Sequence, residues 1–286
     1  MRVAFLVSGE LGENVLSHFI KNLEVIFVLT DKNSRGIIEN CERNNIPVYI
    51  GNPRKEKIKD FISELECDVI ASVNYLFLID RKFIQLAKGL IFNIHGSLLP
   101  RYRGRTPHVW AIINGETKTG ITAHCIDKGC DTGAIIEQIS IDIAPEDTGA
   151  IILEKFKRLY IPLVEKVFKL YEDNKIKLVL QDESKATFFG KRTPDDGKID
   201  WNWSVNRIIN WVRAQAYPYP GAFAMYKDER IIVNKASISD YGFHFKVMNG
   251  TILSTSPLVI KCATGAIQLD DVISPKNNLQ INEVLT

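Results

Sequence analysis

The chain has 286 residues, 45% of them hydrophobic and 24% charged, and its 36 Lys and Arg against 34 Asp and Glu leave a net charge of +2. That composition belongs to a globular protein with room for about two domains, and so small a charge lacks the electrostatic footprint of a nucleic-acid binder and gives no pull toward anionic lipid. No stretch approaches the ~20 apolar residues of a membrane span, and the apolar run Val3 to Val7 has no signal-peptide cleavage site behind it, so a cytoplasmic location is expected.

The first half alternates short apolar runs with helical patterns. Val3 to Val7 reads as a strand, Gly9 to Gly12 as a turn, Asn14 to Lys21 as a short helix and Val25 to Leu29 as a second strand. A helix around Ile37 to Asn44 ends before Pro47, and Val48 to Ile50 is a third strand. Arg54 to Leu65 is amphipathic, with Ile58, Phe61, Ile62 and Leu65 on one face. Val69 to Val73 follows as a strand, then a helix near Asp80 to Leu86 and a strand at Leu90 to Ile94. Alternating strands and helices predict an α/β fold with a doubly wound, Rossmann-like parallel sheet, which binds ligands beyond the carboxyl ends of its strands. Thr148 to Tyr171 reads as a long helix that Pro162 should kink or split. The polar segment Gln181 to Gly197 is the best linker candidate, dividing an N-terminal catalytic domain, 1–190, from a smaller domain, 191–286. After a helix at Val205 to Ala216, that second domain shows short strand-like runs at Ile231 to Val233, Phe243 to Val247 and Leu258 to Cys262, which suggest a small OB-like β-barrel.

Gly9 and Gly12 follow the first strand, but no Gly-x-Gly occurs, so a strand-to-helix turn explains them better than a dinucleotide site. The richer stretch begins at Asn93. If a strand runs through Ile94, its period of two puts Asn93 and His95 on one side, at the carboxyl end where the sheet should bind ligand. Asn93 can donate to a developing oxyanion and His95 can move a proton near neutral pH. Ser97, two residues on, lacks the Gly-x-Ser-x-Gly elbow of a hydrolase nucleophile. The second cluster, Asp127-Lys128-Gly129-Cys130-Asp131-Thr132-Gly133, lies between the strand-like runs Ile121 to Ile126 and Ala134 to Ile139. It is either a plain hairpin turn or a loop from which Asp131 reaches His95 and fixes its tautomer. The five cysteines are scattered and the five histidines have no ligand spacing, so neither disulfide nor metal is expected.

The segment Phe92 to Gly104, FNIHGSLLPRYRG, closely resembles the signature of the folate-dependent formyltransferases, and Asp131 stands 38 positions after Asn93 as that family's aspartate does. The similarity continues at Asn114 to Thr117, Ala144 to Asp147, Phe189 to Pro194, Ile199 to Trp201 and Pro218 to Phe223. Within the family the pattern is most similar to the nucleotide-sugar N-formyltransferases, including the formyltransferase half of the enzyme that modifies UDP-4-amino-4-deoxy-arabinose. The resemblance implies transfer of a formyl group from 10-formyltetrahydrofolate to the amine of a UDP- or dTDP-linked amino sugar, for cell-surface polysaccharide such as the O-antigen of lipopolysaccharide. It implies Asn93, His95 and Asp131 as the catalytic set. It also implies folate contacts at Phe77, Leu78, Ile79, Arg105, Asp127 and Asp131.

For the sugar nucleotide, a diphosphate calls for cations and a base for aromatic rings. Lys191, Arg192, Arg213, Tyr217 and Tyr219 supply both near the expected domain junction. The oligomeric state is left open, a homodimer included. The rival within the family is methionyl-tRNA formylation. Those enzymes carry a basic insertion after the second strand, where this chain has only Asp31 to Gly36.

Overall fold

The computed structural model describes residues 1–54, 57–62, 65–79, 87–273 and 278–286. They form two compact units. The first comprises Met1–Gly104, Gly120–Ser140 and Lys155–Phe188; the second comprises Arg105–Thr119, Ile141–Glu154 and Phe189–Thr286. The chain thus crosses between the units several times before entering the second for good at Phe189.

The first unit is built on a seven-stranded sheet of β1 (Arg2–Val7), β2 (Glu24–Thr30), β3 (Val48–Ile50), β4 (Cys67–Val73), β5 (Ala87–His95), β7 (Lys118–Cys125) and β8 (Ile135–Asp142). Their spatial order is β3-β2-β1-β4-β5-β7-β8. Pairings from β3 to β5 are parallel, and β7 runs antiparallel to β5. This is the expected α/β sheet with an antiparallel margin, a common way to end such a sheet. Val3 to Val7 are fully buried, which is why this stretch reads as one apolar run and not as an alternation.

Helix α1 (Gly9–Phe19) begins five residues earlier than its apolar pattern suggests, directly after Ser8. Gly9, at φ 63°, makes the turn alone. Gly12 lies inside the helix, where a Cβ would stand 2.9 Å from that of Val7, so its role is close packing on β1. Helix α2 (Arg35–Arg43) buries Ile37 and Cys41, and α3 (Lys57–Ile62) buries Ile58. The helix expected near Asp80 to Leu86 lies outside the described residues. Helix α5 (Gly149–Glu172) runs through Pro162 without splitting. An interior proline costs about 3 kcal/mol, but Ile152, Phe156, Leu163, Val164, Val167 and Phe168 are all buried along one face, which outweighs the lost hydrogen bond.

The second unit holds α4 (Pro107–Ile113), α6 (Val205–Ala214) and a five-stranded sheet. The sheet comprises β10 (Ala222–Tyr226), β11 (Glu229–Ser239), β12 (Ile252–Thr255), β13 (Leu258–Cys262) and β14 (Gly265–Ile273), in the order β10-β11-β14-β13-β12. It curls, and residues 282–286 stitch its two edges together. Met225 and Thr286 exchange backbone hydrogen bonds of 2.6 and 2.9 Å on the β10 side. Ile252 donates to Glu283 and accepts from Asn282 on the β12 side. This satisfies edges that would otherwise be open. The alternating Phe243, Phe245 and Val247 do not form the expected strand. Phe245 is exposed and stacks on His244, and the Lys261 ammonium lies over Phe243, so these rings find local partners instead of a sheet face. A two-stranded pair, β6 (Arg103–Gly104) with β9 (Phe188–Phe189), completes the strands.

Leu285 is buried within the stitching segment. Leu285→Ala is expected to destabilise the second unit by about 2–5 kcal/mol, the usual cost of such a cavity. Thermal melting of the variant checks this, and an unchanged midpoint would show that the segment does not close the sheet.

Candidate active site

Asn93 and His95 occupy the carboxyl end of β5, as the strand period requires, and β7 runs beside them with Asn93 opposite His124 and His95 opposite Thr122. The loop after β5 turns back on itself, and Tyr102 takes a left-handed conformation with φ 60°. That turn brings the Tyr102 carbonyl within 2.8 Å of His95 Nε2. A carbonyl only accepts, so Nε2 carries the proton and His95 presents Nδ1 on its other side. Ser97 is fully buried and donates its hydroxyl to the Arg101 carbonyl at 2.7 Å, a structural role with no nucleophile in it.

Asp131 sits in the loop between β7 and β8 with φ 58°, an unfavourable backbone for a residue with a side chain and one that surrounding contacts must hold. Its Oδ2 accepts the Gly104 N–H at 2.9 Å. Its own carbonyl and that of Gly133 both accept from Gln181 Nε2 at 2.8 Å. Gln181 is in turn gripped through Oε1 by Arg103, whose guanidinium also forms a forked pair with Glu183 at 2.9 and 2.6 Å. The Asp127 carboxylate ties the other end of the loop, accepting from the Gly129 N–H and the Thr132 hydroxyl. So held, Asp131 Oδ1 lies 3.6 Å from His95 Nδ1 and 3.7 Å from His124 Nε2. The tautomer of His95 is therefore set by the Tyr102 carbonyl, with Asp131 facing the opposite nitrogen at ion-pair distance.

Burial pulls the Asp131 carboxyl toward its neutral form. His95, the Gly104 N–H, His124 and the Cys130 thiol together outweigh that and hold it below the ordinary value of 3.8. Burial acts the other way on His124, whose pKa falls to about 4 despite the pull of Asp131. His124 is the residue that reading the sequence missed. Its signal was available only through the pairing of β5 with β7, which places it directly across from Asn93.

A cavity of about 130 Å³, or about 560 Å³ counted out to its open mouth, is lined by Asn93, His124, Asp127 and Asp131. Phe77, Leu78 and Ile79, after β4, supply its apolar wall. His95 is buried and is not among the lining residues. Five of the six residues expected to touch folate thus share one cavity. The sixth, Arg105, belongs to the second unit and is exposed.

The residues expected to hold a sugar nucleotide all lie in the second unit but are not gathered into one place. Arg192 and Tyr219 line a cavity of about 120 Å³ with Thr106, Val109, Pro194 and Gln215. The Arg192 guanidinium lies over the rings of Trp110 and Trp211, at 5.0 and 4.4 Å, and donates to Gln215 and the Asp196 carbonyl. Tyr219 OH is 2.7 Å from Nε2 of the buried His108, whose pKa burial also lowers to about 4. Arg213 is spent on the carbonyls of Ala144 and Asp147, while Lys191 and Tyr217 are exposed. Among the described residues no cluster could hold a metal ion, and no helix is long and apolar enough to cross a membrane.

An α/β sheet with an Asn and a His at the end of one strand, an Asp in the loop after the neighbouring strand and a small curled sheet beyond is the architecture of a formyl transfer enzyme. The chain belongs to the formyl transferase family, matching its "Formyl transferase" domain over residues 1–161 and its "Formyl transferase, C-terminal domain" over residues 191–286. Among solved structures it is similar to WlaRD, a sugar 3N-formyl transferase crystallised in the presence of dTDP and 5-N-formyl-THF, at 23% identity and a TM-score of 0.71, covering 94% of this chain and 96% of that one. An N-formyltransferase from Helicobacter canadensis, in complex with folinic acid and dTDP-3-aminofucose, is 21% identical with a TM-score of 0.67, covering 94% and 97%. A methionyl-tRNA formyltransferase from Clostridium thermocellum is 21% identical with a TM-score of 0.58, covering 84% and 94%. At these identities the likeness is one of fold.

Both buried imidazoles take a proton readily once unfolded, near the ordinary pKa of 6.5, but in the fold only near 4. Between those values the unfolded chain binds more protons, so stability must fall as pH falls from about 6.5 toward 4. The depressed Asp131 extends the loss below its ordinary 3.8. The urea midpoint is expected to be lower at pH 5 than at pH 7.5, and His108→Gln should flatten the difference. A midpoint that rises on acidification contradicts neutral buried rings.

Proposed function

We propose that the chain transfers a formyl group from 10-formyltetrahydrofolate to the amine of a nucleotide-linked amino sugar. The observation that supports this best is the cavity in which Asn93, Asp131 and an apolar wall at Phe77 to Ile79 meet. Its apolar wall suits the face of a flat heterocycle, and its polar end suits a formyl group beside an amide donor and a carboxylate. The wall residues Phe77, Leu78 and Ile79, with Asp127 and Asp131, would hold the folate, and Arg105 would meet its carboxylate or carboxamide. When bound, 10-formyltetrahydrofolate supplies a formyl carbon open to attack by a neutral amine.

The rest is done by side chains. Asn93 donates an amide N–H to the formyl oxygen as negative charge develops there, a contribution of about 3 kcal/mol in comparable sites. His95 carries the proton between the attacking amine and the departing folate nitrogen, and Asp131 at 3.6 Å steadies the ring while it is charged. Distances of this kind commonly shorten when ligand excludes water.

Of two proteins of the same fold, one is named a sugar 3N-formyl transferase in the presence of dTDP and one an N-formyltransferase in complex with dTDP-3-aminofucose, which favours dTDP over UDP for the acceptor. Arg192 and Tyr219 are the candidates for holding it, with Lys191, Arg213 and Tyr217 nearby in sequence. The product would be a building block for cell-surface polysaccharide such as lipopolysaccharide O-antigen, made in the cytoplasm without nucleic acid or membrane as partner. The alternative acceptor, charged initiator tRNA, requires several phosphates to be neutralised. A net charge of +2 and the short segment from Asp31 to Gly36 disfavour it.

Asn93→Ala, His95→Ala and Asp131→Ala are each expected to lower kcat by about 10²-fold or more with the fold retained. A wild-type rate in the His95 variant with unchanged melting would remove the mechanism.

The acceptor class is tested by offering dTDP- and UDP-linked 3- and 4-amino sugars beside methionyl-tRNA at low salt with one formyl donor. Tetrahydrofolate release is expected with a sugar nucleotide and not with tRNA. Efficient tRNA formylation over inert sugars would overturn the assignment.

A further inference from the structure

The hydrogen bonds around His124 determine which way the Asn93 amide faces. His124 Nδ1 stands 2.9 Å from the Cys125 carbonyl, which can only accept, so Nδ1 must carry a proton. The ring is 3% exposed, and the charged groups that face it are Asp131, His95 and Asp127. Burial outweighs the two carboxylates and leaves the ring neutral. Nε2 is then a bare lone pair, and the atom facing it at 3.3 Å must be the amide nitrogen of Asn93. Rotating the amide by half a turn would set its oxygen against that lone pair. The two orientations have nearly the same shape, so chemistry decides between them.

Resting on the formyl-transfer reading above, we infer that His124 is a positioning residue: as a neutral acceptor it fixes the Asn93 amide with one N–H bonded to the ring and the other left for the ligand. A planar amide holds its two N–H bonds about 120° apart, so anchoring one sets the direction of the other. The strand register supports the arrangement, since Asn93 and His124 are direct cross-strand partners and both line the cavity. Without the acceptor the amide can turn its oxygen toward the formyl oxygen, which repels charge there instead of stabilising it.

The test combines kinetics with a measurement that needs no substrate. His124→Phe keeps the bulk and removes the acceptor; it is expected to lower kcat by on the order of 10- to 100-fold, within the range lost on deleting an oxyanion donor, while KM for donor and amine stay within about twofold, as expected when only the transition state is affected. His124→Gln, whose side-chain oxygen can accept, should recover part of kcat. In the double variant with Asn93→Ala, the His124→Phe change should cost nothing further, because both act through one group. An unchanged kcat in His124→Phe, or losses that multiply in the double variant, overturns the inference. Should His124→Phe fail to fold, nitrogen NMR of the wild-type His124 ring decides: protonated Nδ1 and bare Nε2 at neutral pH support it, and the opposite tautomer or an imidazolium sinks it. An enzyme inert toward every amine offered, with the ring in the expected form, overturns the proposed function and leaves the Asn93 orientation standing.

Discussion

The site depends on keeping one carboxylate, that of Asp131, charged in a place from which water is largely removed. Desolvation opposes this, and a lone buried carboxylate would take up a proton. The opposing contributions come from separate parts of the first unit: the Gly104 N–H in β6 and His95 at the end of β5. Each needs its strand to stop at the right residue. A one-residue slip of β7 against β5 would swing His124 to the opposite face of the sheet, taking the acceptor away from the Asn93 amide.

The backbone under Asp131 is under strain, and its restraints come from far along the chain. Gln181 bonds the carbonyls on both sides of Thr132, and Arg103 and Glu183 lock Gln181 in turn. This gives the polar segment after α5 a different character from the linker its composition suggests. Gln181 is half-buried and braces the loop, while Asp182 and Glu183 beside it are exposed. Composition reports that a segment is polar but not whether its polar atoms face water or another strand.

The α/β class, the strands up to β5 and the shared face of Asn93 and His95 were legible in the sequence, because they are local, whereas Asp131 was joined to them only by the family resemblance. Buried parallel strands write themselves as apolar runs, and the Asn-x-His spacing places two side chains on one face whatever surrounds them. What was not legible needed a partner strand. His124 is one more histidine in an apolar strand until β5 is laid beside it. The start of α1 at Gly9 needed the close approach to Val7, and the loss of a strand at Phe243 to Val247 needed Lys261 and His244 as partners for its rings. The cations expected to meet a diphosphate show the same limit. Arg213 looks available in sequence, yet its guanidinium is engaged by the carbonyls of Ala144 and Asp147. A cation near a junction is evidence of charge, while its free valences are known only once its neighbours are.

A single carboxylate between two imidazoles can balance one positive charge, and the structure distributes that charge unequally. His124 is neutral, because burial outweighs the attraction of Asp131 and its Nδ1 proton is committed to the Cys125 carbonyl. Were it charged, Asp131 would be shared, and a proton arriving on His95 would meet a half-neutralised partner. Holding His124 neutral leaves the full charge of Asp131 to face Nδ1 of His95. The two rings therefore divide the work by their surroundings and not by their chemistry. One is fixed in a single tautomer and serves as an acceptor for Asn93. The other, with Nε2–H committed to Tyr102, has one nitrogen left, and that nitrogen faces the negative charge.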